Sequence, residues 1–286
     1  MTHLTKLTDV QTLSNGVEIP IVGFGTWQTP DGDVAKASVE AALAAGYRHI
    51  DTAAAYGNEE SVGAGLKASG LNRHDYFLTT KLWNSDHGYQ EALKAVDQSL
   101  LRLDTDYLDL YLIHWPNPAA LRDQFDNQIA ETWRAMEEIL KSGKARAIGV
   151  SNFRVHHFDT LMKTASVAPM VNQIFLNPSD LQPEVVAYNE AHNIISEAYS
   201  PLGTGKIFDV PALQKMAERY NKSVAQLVLR WSLQHDFVPL PKSVHADRIN
   251  ENAELFDFEL SHHDMELIDQ LHGVAGEATD PDTATF

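Results

Sequence analysis

Residues 49–59 read His-Ile-Asp-Thr-Ala-Ala-Ala-Tyr-Gly-Asn-Glu, and this stretch places two polar groups at the end of an apolar run. Asp51 directly follows the isoleucine of that run, so the pattern predicts a carboxylate at the mouth of a buried strand. An unpaired charge is costly there, and Asp51 therefore needs a cation nearby. Tyr56 precedes Gly57 and a helical pattern, which places its hydroxyl on a strand-to-helix loop, a kind of segment that often carries function.

The same strand–loop–helix unit repeats along the chain. Eight short apolar runs predict strands at residues 21–25, 48–51, 76–81, 108–114, 145–151, 170–174, 194–199 and 237–242. Helical spacing between and after them predicts helices at residues 34–45, 59–69, 89–103, 128–142, 155–164, 183–192, 210–220 with 223–234, 246–255 and 261–271. Eight alternating pairs without a linker or composition shift predict an α/β fold, one (β/α)8 TIM barrel domain over residues 1–286.

Local signals add detail to both ends of this barrel. Residues 12–19 alternate around Asn15-Gly16, which predicts a β-hairpin before the first barrel strand. The last two helical patterns follow the eighth strand and are extra C-terminal helices. Ser223 with Gln226 three residues later has capping-box spacing, and glycines close three helices, at Gly46, Gly70 and Gly143.

A doubly wound sheet that binds a dinucleotide is the alternative fold, but its fingerprint is incomplete. Gly23 and Gly25 give only Gly-x-Gly, and Gln28 stands where a third glycine is needed for close helix packing. The stretch Gly203-Thr204-Gly205-Lys206 is not a P-loop, because Ile207 stands where Ser or Thr would hold magnesium. The barrel is therefore favoured.

Composition narrows the possible functions. Hydrophobic residues make up 44% and charged residues 21% of the 286 residues, as in a soluble globular protein. The N-terminal residues lack the apolar block of a signal peptide, so a cytoplasmic protein is expected. The absence of cysteine excludes disulfides, thiol nucleophiles and Cys-based metal sites. A net charge of −17 disfavours nucleic acid and anionic membranes as partners.

The carboxyl ends of barrel strands open onto one face, where active sites are built. The last residues of the predicted strands include Asp51, Lys81, His114, Ser151, Tyr199 and Lys242, with Gln173 one residue before its strand's end. Any single polar strand end is ordinary, because strands emerge into water. Together they place a carboxylate, two ammonium groups, an imidazole and a carboxamide around one cavity.

Four of these groups suggest proton delivery to a carbonyl. Lys81 lies on the strand next to Asp51 and is the cation that Asp51 needs. A phenol titrates near pH 10, and a neighbouring ammonium is expected to lower the pKa of Tyr56. His114 is placed to hydrogen-bond the same substrate oxygen. None of the four can supply a hydride, so a cofactor must.

These residues resemble the aldo-keto reductases, in particular short-loop microbial members similar to 2,5-diketogluconate reductase. The resemblance covers essentially the whole chain and rests on residues 46–53, 56–59, 112–116, 148–153, 241–243 and 248–252. It implies an NADPH-dependent oxidoreductase that reduces small aldehydes, ketones, dicarbonyls or keto sugars. It also implies that Tyr56 is the general acid, that Asp51 and Lys81 tune it, and that His114 orients the carbonyl.

The resemblance assigns a cofactor pocket as well. Ser151, Asn152 and Gln173 correspond to partners of the nicotinamide carboxamide, and Tyr199 to the aromatic residue that stacks on the ring. Further cofactor contacts are implied for Thr26, Trp27, Asp51, Ser200, Leu202, Gly203, Gly205, Lys242, Ser243, Val244, His245, Arg248, Glu251 and Asn252.

The residues themselves support an anion site after the eighth strand. Lys242 and Arg248 flank the start of a helix, where N–H groups and two cations attract a phosphate in an otherwise acidic protein. NADPH is therefore predicted over NADH. The alternative is that Arg248 pairs with Glu251 or Glu254 on its own helix.

The substrate pocket is predicted to be open, because residues 116–127 form a short loop and the C-terminal tail is brief. Trp27, Trp83 and Trp115 are expected to line it with Tyr56 and His114. Residues 276–282 depart from the family's frequent tail pattern, which leaves open whether Phe286 folds over the site. The tandem histidines at 156–157 and 262–263 are interpreted as solvated surface, and no metal is predicted.

Two other functions remain alternatives. The same fold serves as a nucleotide-sensing regulatory subunit, and fold alone does not determine function. A phosphate-binding isomerase or lyase would explain the basic site but not Tyr56 beside Lys81 and His114. No heptad pattern or interface patch is evident, and a monomer is expected from the family.

Overall fold

Ten strands and ten α-helices make up the computed structural model, which describes residues 4–286. The strands are β1 Val10–Thr12, β2 Glu18–Pro20, β3 Phe24–Gly25, β4 His49–Asp51, β5 Phe77–Leu82, β6 Leu108–Ile113, β7 Ala145–Ser151, β8 Val171–Phe175, β9 Ile195–Tyr199 and β10 Val238–Pro239. The helices are α1 Asp33–Ala44, α2 Glu59–Ala68, α3 Tyr89–Leu103, α4 Phe125–Lys141, α5 Val155–Leu161, α6 Pro183–Ala191, α7 Pro211–Tyr220, α8 Val224–Gln234, α9 Ala246–Glu251 and α10 His262–Asp269.

Strands β3 to β10 form one parallel sheet in chain order, with helices between successive strands. Backbone hydrogen bonds also join the two edges of this sheet, next to β3 and β10. Gly23 N donates to Pro239 O and Gly25 N donates to Pro241 O, each over 3.0 Å. The sheet therefore curls into a barrel, and the predicted (β/α)8 fold is confirmed. The two strands at the seam are shorter than predicted, because only a few residues of each pair regularly.

The predicted hairpin is present as β1 and β2, which pair antiparallel from Val10 opposite Pro20 to Thr12 opposite Glu18. Its loop is longer than a two-residue turn, and Gly16 adopts a φ of 87° there. Asn15 Nδ2 donates to Arg146 O, which lies near the amino end of β7. The hairpin thus lies at the amino-terminal end of the barrel, away from the face that carries the polar strand ends.

Helix boundaries follow the predicted patterns within two residues except in α4, α5 and α9, and α9 ends at Glu251, four residues before its predicted end. Helix α4 begins earlier than predicted, because a 3₁₀ helix at Ala119–Gln124 leads directly into it. Helix α5 ends at Leu161, three residues before the predicted end. The capping box is confirmed: Ser223 Oγ accepts from Gln226 N, and Gln226 Oε1 accepts from Ser223 N. None of the helices in residues 4–286 is long and apolar enough to cross a bilayer.

Strand residues fill the barrel and pack against the surrounding helices. Ile50, Leu78, Leu110, Ile148 and Val171 are fully buried within one apolar cluster. At about 25 cal/mol per Å² of apolar surface, each such side chain contributes roughly 1.5–3 kcal/mol to folding. This packing makes the strand ends a rigid platform for the polar groups beyond them.

Candidate active site

The carboxyl ends of the barrel strands open into a cavity of about 1080 Å³. Most of the residues predicted for the site line it. These are Trp27, Asp51, Tyr56, Trp83, His114, Trp115, Ser151, Asn152, Gln173, Tyr199, Ser200, Leu202, Gly205, Lys242, Ser243, Arg248, Glu251 and Asn252. The sequence therefore located the face and most of the wall of this cavity.

Five predicted residues do not line the cavity. Lys81 is fully buried beneath the wall, and Thr26 is buried with its hydroxyl donating to Asp51 O over 3.0 Å. Gly203 is also buried, in the segment after β9. Val244 and His245 are exposed and lie outside the cavity lining. The cofactor contacts predicted for Thr26, Gly203, Val244 and His245 therefore have no support from the cavity wall.

A short hydrogen-bonded chain connects three of the four candidate catalytic residues. Lys81 Nζ donates to Asp51 Oδ1 over 2.7 Å, to Thr52 O over 2.9 Å and to the Tyr56 hydroxyl over 3.1 Å. The first two contacts fix the ammonium from beneath the cavity. The third directs it at the phenol oxygen, which lies at the cavity wall.

The net shift in the pKa of Tyr56 differs from the prediction. Burial raises the pKa of the phenol, and this outweighs the lowering by the Lys81 charge and its hydrogen bond; the Asp51 charge raises it further. Burial opposes the charged form of Lys81, but Asp51 and Tyr56 still raise the pKa of Lys81 overall. The predicted lowering by Lys81 is present, but burial, which was not visible in the sequence, reverses the net direction. Near neutral pH the pair is a protonated phenol beside an ammonium.

His114 directly follows β6 and borders the same part of the cavity. Its ring makes edge-on contacts with the rings of Tyr56 and Trp83, at centroid distances of 5.6 Å and 5.2 Å. Burial, together with the Lys81 charge, holds the pKa of His114 well below its usual value. The imidazole is therefore neutral near pH 7 and can donate one N–H to an oxygen beside Tyr56.

Polar side chains from β7, β8 and β9 form another corner of the cavity. Ser151 Oγ donates to Gln173 O over 2.7 Å, and Asn152 Nδ2 donates to His114 O over 2.9 Å. The Tyr199 hydroxyl donates to Asn152 Oδ1 over 2.8 Å. These bonds fix the hydroxyl and carboxamide groups in a pattern suited to an amide ligand next to an aromatic ring.

Lys242 and Arg248 lie at the far end of the cavity. Lys242 Nζ donates to Gln28 O over 3.1 Å, and partial burial lowers the pKa of Lys242. Within the described part of the chain, Arg248 forms no ion pair, so the alternative pairing with Glu251 or Glu254 is not observed. Two cations without carboxylate partners, in a protein of net charge −17, fit an anionic ligand such as a phosphate ester.

The C-terminal tail returns to the mouth of the cavity. The Phe286 ring stacks on Trp83 at a centroid distance of 6.2 Å and meets Trp115 edge-on at 4.9 Å. Ala119 N donates to Phe286 O over 3.2 Å, which attaches the tail to the loop after β6. Phe286 therefore folds over the site, which the sequence had left open. It narrows a pocket that was predicted to be open because the loops are short.

Asp282 attaches the tail to the barrel through three side chains. Asn117 Nδ2 lies 2.8 Å from Asp282 Oδ1, His157 Nε2 lies 3.0 Å from Oδ1, and His156 Nε2 lies 2.8 Å from Oδ2. His157 is fully buried, so its interpretation as solvated surface was wrong. Arg154 N donates to His157 Nδ1, which leaves the proton of a neutral ring on Nε2. This hydrogen bonding favours a histidine–carboxylate contact over a metal site at His156, His157 and Asp282.

Sequence reasoning missed Glu197, a fully buried carboxyl in β9. Gln173 Nε2 donates to Glu197 Oε2 and to Asp51 Oδ2, each over 2.9 Å. Burial, together with the nearby Asp51 charge, raises the pKa of Glu197 to about 8. The available signal was a charged residue in the interior of a predicted barrel strand, two residues before Tyr199.

Comparisons with known proteins identify the family of this chain. The sequence model of the aldo/keto reductase family matches residues 21–272. The chain is 49% identical over 282 residues to the glyoxal reductase of Bacillus subtilis, covering 99% of each chain. It is 42% identical over 272 residues to the methylglyoxal reductase DkgA of Escherichia coli, covering 94% of this chain and 96% of that one. The NADPH complex of a Gox0644 mutant superposes with a TM-score of 0.90 at 40% identity, covering 98% and 99%.

The chain belongs to the aldo/keto reductase family. It is an NADP-dependent oxidoreductase, and the predicted class of enzyme and the predicted NADPH cofactor are confirmed. The residues present also fit the cofactor, since the cavity joins a corner of hydroxyl and carboxamide groups and an aromatic ring to two cations without ion-pair partners.

Proposed function

We propose that this enzyme reduces small carbonyl compounds with NADPH, and that dicarbonyls such as glyoxal and methylglyoxal are its preferred substrates. The names of its relatives in Bacillus subtilis and Escherichia coli support the dicarbonyls. The observation that carries the proposal is the Asp51–Lys81–Tyr56 chain, which ends at the cavity wall beside His114. Simple aldehydes, ketones and keto sugars remain candidate substrates.

Tyr56 is the proposed proton donor. Reduction of a carbonyl requires one hydride at carbon and one proton at oxygen, and the buried phenol holds its proton at neutral pH. As the oxygen gains negative charge, the Tyr56 proton transfers to it. Lys81 stabilises the phenolate that remains through its 3.1 Å contact, and Asp51 keeps Lys81 charged. Neutral His114 donates a hydrogen bond to the same substrate oxygen and orients it.

Bound NADPH supplies the hydride. Ser151, Asn152 and Gln173 would hold its carboxamide, and Tyr199 would pack against the nicotinamide ring. Lys242 and Arg248 would bind the phosphate on the adenosine, which distinguishes NADPH from NADH. Thr204, in the 203–205 loop that the resemblance assigns to the pyrophosphate, lines the cavity, and so do Gln28, Phe175 and Phe208, which were not predicted from the sequence.

The aromatic mouth suits a small substrate. Trp27, Trp83, Trp115 and Phe286 all line the cavity, and Trp83 contacts His114 edge-on and Phe286 by stacking. Their rings offer apolar walls and exclude water from the reacting carbonyl, which strengthens the electrostatic contacts there. We therefore expect two- and three-carbon dicarbonyls to bind beneath Phe286 with the tail in place.

NADPH consumption with glyoxal, methylglyoxal, simple aldehydes and keto sugars tests the proposal. We expect the highest kcat/KM with the dicarbonyls. Tight NADPH binding without turnover on any of these substrates would contradict the proposal and favour the regulatory alternative. Four other properties stay predictions. They are a single domain over residues 1–286, a cytoplasmic location, a monomeric state, and the absence of nucleic-acid, membrane and metal partners.

A further inference from the structure

Gln173 is held by two carboxyl groups, one of which has no role in the proposed proton transfer. Both hydrogens of its Nε2 are used, one by Asp51 Oδ2 and one by Glu197 Oε2. A flipped amide would direct its carbonyl oxygen at the Asp51 carboxylate, which can only accept, and would lose that bond. The amide orientation is therefore fixed, with the carbonyl oxygen left for the cavity that Gln173 lines.

The position of Glu197 inside the barrel suits it to hold the Gln173 amide. Its carboxyl is fully buried, and its second oxygen, Oε1, has no hydrogen-bond partner. His49 Nε2 lies 3.6 Å from Oε1, and burial lowers the pKa of His49 to about 3. His49 is thus neutral and forms no ion pair with Glu197. Asp51 and Lys81 are the other charged groups that act on it.

We propose that Glu197 is a positioning residue that, with Asp51, turns the carbonyl oxygen of Gln173 toward the cavity to accept the carboxamide N–H of the nicotinamide. This inference rests on the proposed function only for the identity of the ligand. Asp51 already anchors Lys81, so Glu197 supplies the second contact that keeps the Gln173 amide from rotating. The protonated state of Glu197, favoured by its raised pKa, keeps a second negative charge away from Asp51.

A pair of dinucleotides isolates this contact. NADP⁺ carries a carboxamide NH₂, whereas its 3-acetylpyridine analogue has a methyl group at the same position and cannot donate. We expect the wild-type enzyme to bind NADP⁺ about fivefold more tightly than the analogue, the factor typical of one neutral hydrogen bond. In Glu197→Leu this preference should fall to within about twofold, because Gln173 loses one of its two anchors. Binding is measured by quenching of protein fluorescence, without turnover.

Glu197→Gln is the matched control. The amide oxygen of the new side chain can still accept from Gln173 Nε2, so this variant should keep the preference for NADP⁺. If Glu197→Leu does not fold, Glu197→Thr replaces it, because threonine is too short to reach Gln173. Circular dichroism and the melting temperature establish that each variant is folded.

Three outcomes would overturn the proposal. In the first, all folded variants prefer NADP⁺ over the analogue by the same factor. In the second, Glu197→Leu loses affinity for both dinucleotides in parallel. In the third, Glu197→Gln loses the preference for NADP⁺. A parallel loss indicates only a damaged pocket. Turnover of methylglyoxal by the wild-type enzyme is measured beside the binding. Failure of turnover with an intact NADP⁺ preference would reject the proposed function and leave the role of Glu197 standing.

Discussion

Lys81 Nζ lies 3.1 Å from the Tyr56 hydroxyl, and this contact joins a buried ion pair to the wall of the active-site cavity. Burial raises the pKa of the phenol, so Tyr56 carries a proton at neutral pH. The ammonium then favours the phenolate that forms when this proton is transferred. A protonated donor with a stabilised conjugate base is what carbonyl reduction needs.

Tyr56→Phe should lower kcat for methylglyoxal by about 10²–10⁴-fold, the usual contribution of a positioned general acid. The dissociation constant for NADPH should stay within about twofold, because the phenol is proposed to act on substrate alone. Stopped-flow turnover and fluorescence titration measure the two quantities. Tyr188→Phe is the control, since Tyr188 stacks on Phe158 and lies outside the cavity lining. Turnover by Tyr56→Phe at the wild-type rate would reject the role of the phenol.

Arg248→Met should weaken NADPH binding about tenfold or more, because a charge-assisted contact to the additional phosphate is lost. NADH lacks that phosphate, and its binding should change little. Fluorescence titrations with both cofactors test this. Arg134→Met removes an equal charge at an exposed pair with Glu131 and should alter neither affinity. Equal losses for NADPH and NADH in Arg248→Met would disprove the assignment.

Acid should release the C-terminal tail. Burial lowers the pKa of His157 to about 4, and hydrogen bonds from Asn117 and His157 outweigh burial and lower the pKa of Asp282 to about 2. Both groups have depressed folded-state pKa values, so their stabilisation is complete above the ordinary values. It is lost as pH falls, first from about 6.5 through 4 for His157, then from about 3.8 through 2 for Asp282.

Removal of Phe286 by an acid-tolerant carboxypeptidase measures this release. Asp282 itself raises the pKa of His157, so the contact between them holds until Asp282 gains a proton. Cleavage should therefore accelerate as pH falls from about 3.8 toward about 2, beyond the change seen with an unstructured peptide of the same sequence. Asp282→Ala should be cleaved rapidly at neutral pH and should show little further acceleration. A tail that resists cleavage in Asp282→Ala would show that the ring contacts of Phe286 hold it without the Asp282 contacts.

The contribution of Glu197 to the free energy of unfolding should be lost as pH rises, whereas those of His157 and Asp282 are lost as pH falls. Its folded-state pKa is raised from 4.5 to about 8, mainly by burial, so the folded state retains the proton that the unfolded state loses. Its contribution is complete below about pH 4.5 and is lost as pH rises to about 8. The free energy of unfolding of the wild type, relative to Glu197→Gln, should therefore fall over this range and then level off. Urea unfolding at several pH values measures it.

Glu184→Gln provides the control for this titration, because it makes the same chemical change at an exposed position on α6. Its stability relative to the wild type should stay nearly constant over the same range of pH. A constant difference for Glu197→Gln as well would show that Glu197 does not retain its proton on folding.

The repeated strand–helix pattern determined the barrel from the sequence, because hydrophobic periodicity and caps are local properties. The position of Asp51, Lys81 and His114 at or near strand ends then brought them to one face, since parallel strands share an end. Lys242 and Arg248 were found from their position around the start of the helix that follows the eighth strand. No long-range contact had to be known for these predictions.

Only the tertiary structure decided how these groups act on one another. The net pKa of Tyr56 depends on burial as well as on Lys81, and burial is a sum over the whole fold. Glu197 reaches Gln173 across neighbouring strands, and Asp282 reaches His157 across 125 residues of chain. Such contacts depend on distances between side chains that are remote in sequence. The sequence therefore determined the fold and the reacting groups, and the packing decided their charge states and how the site is enclosed.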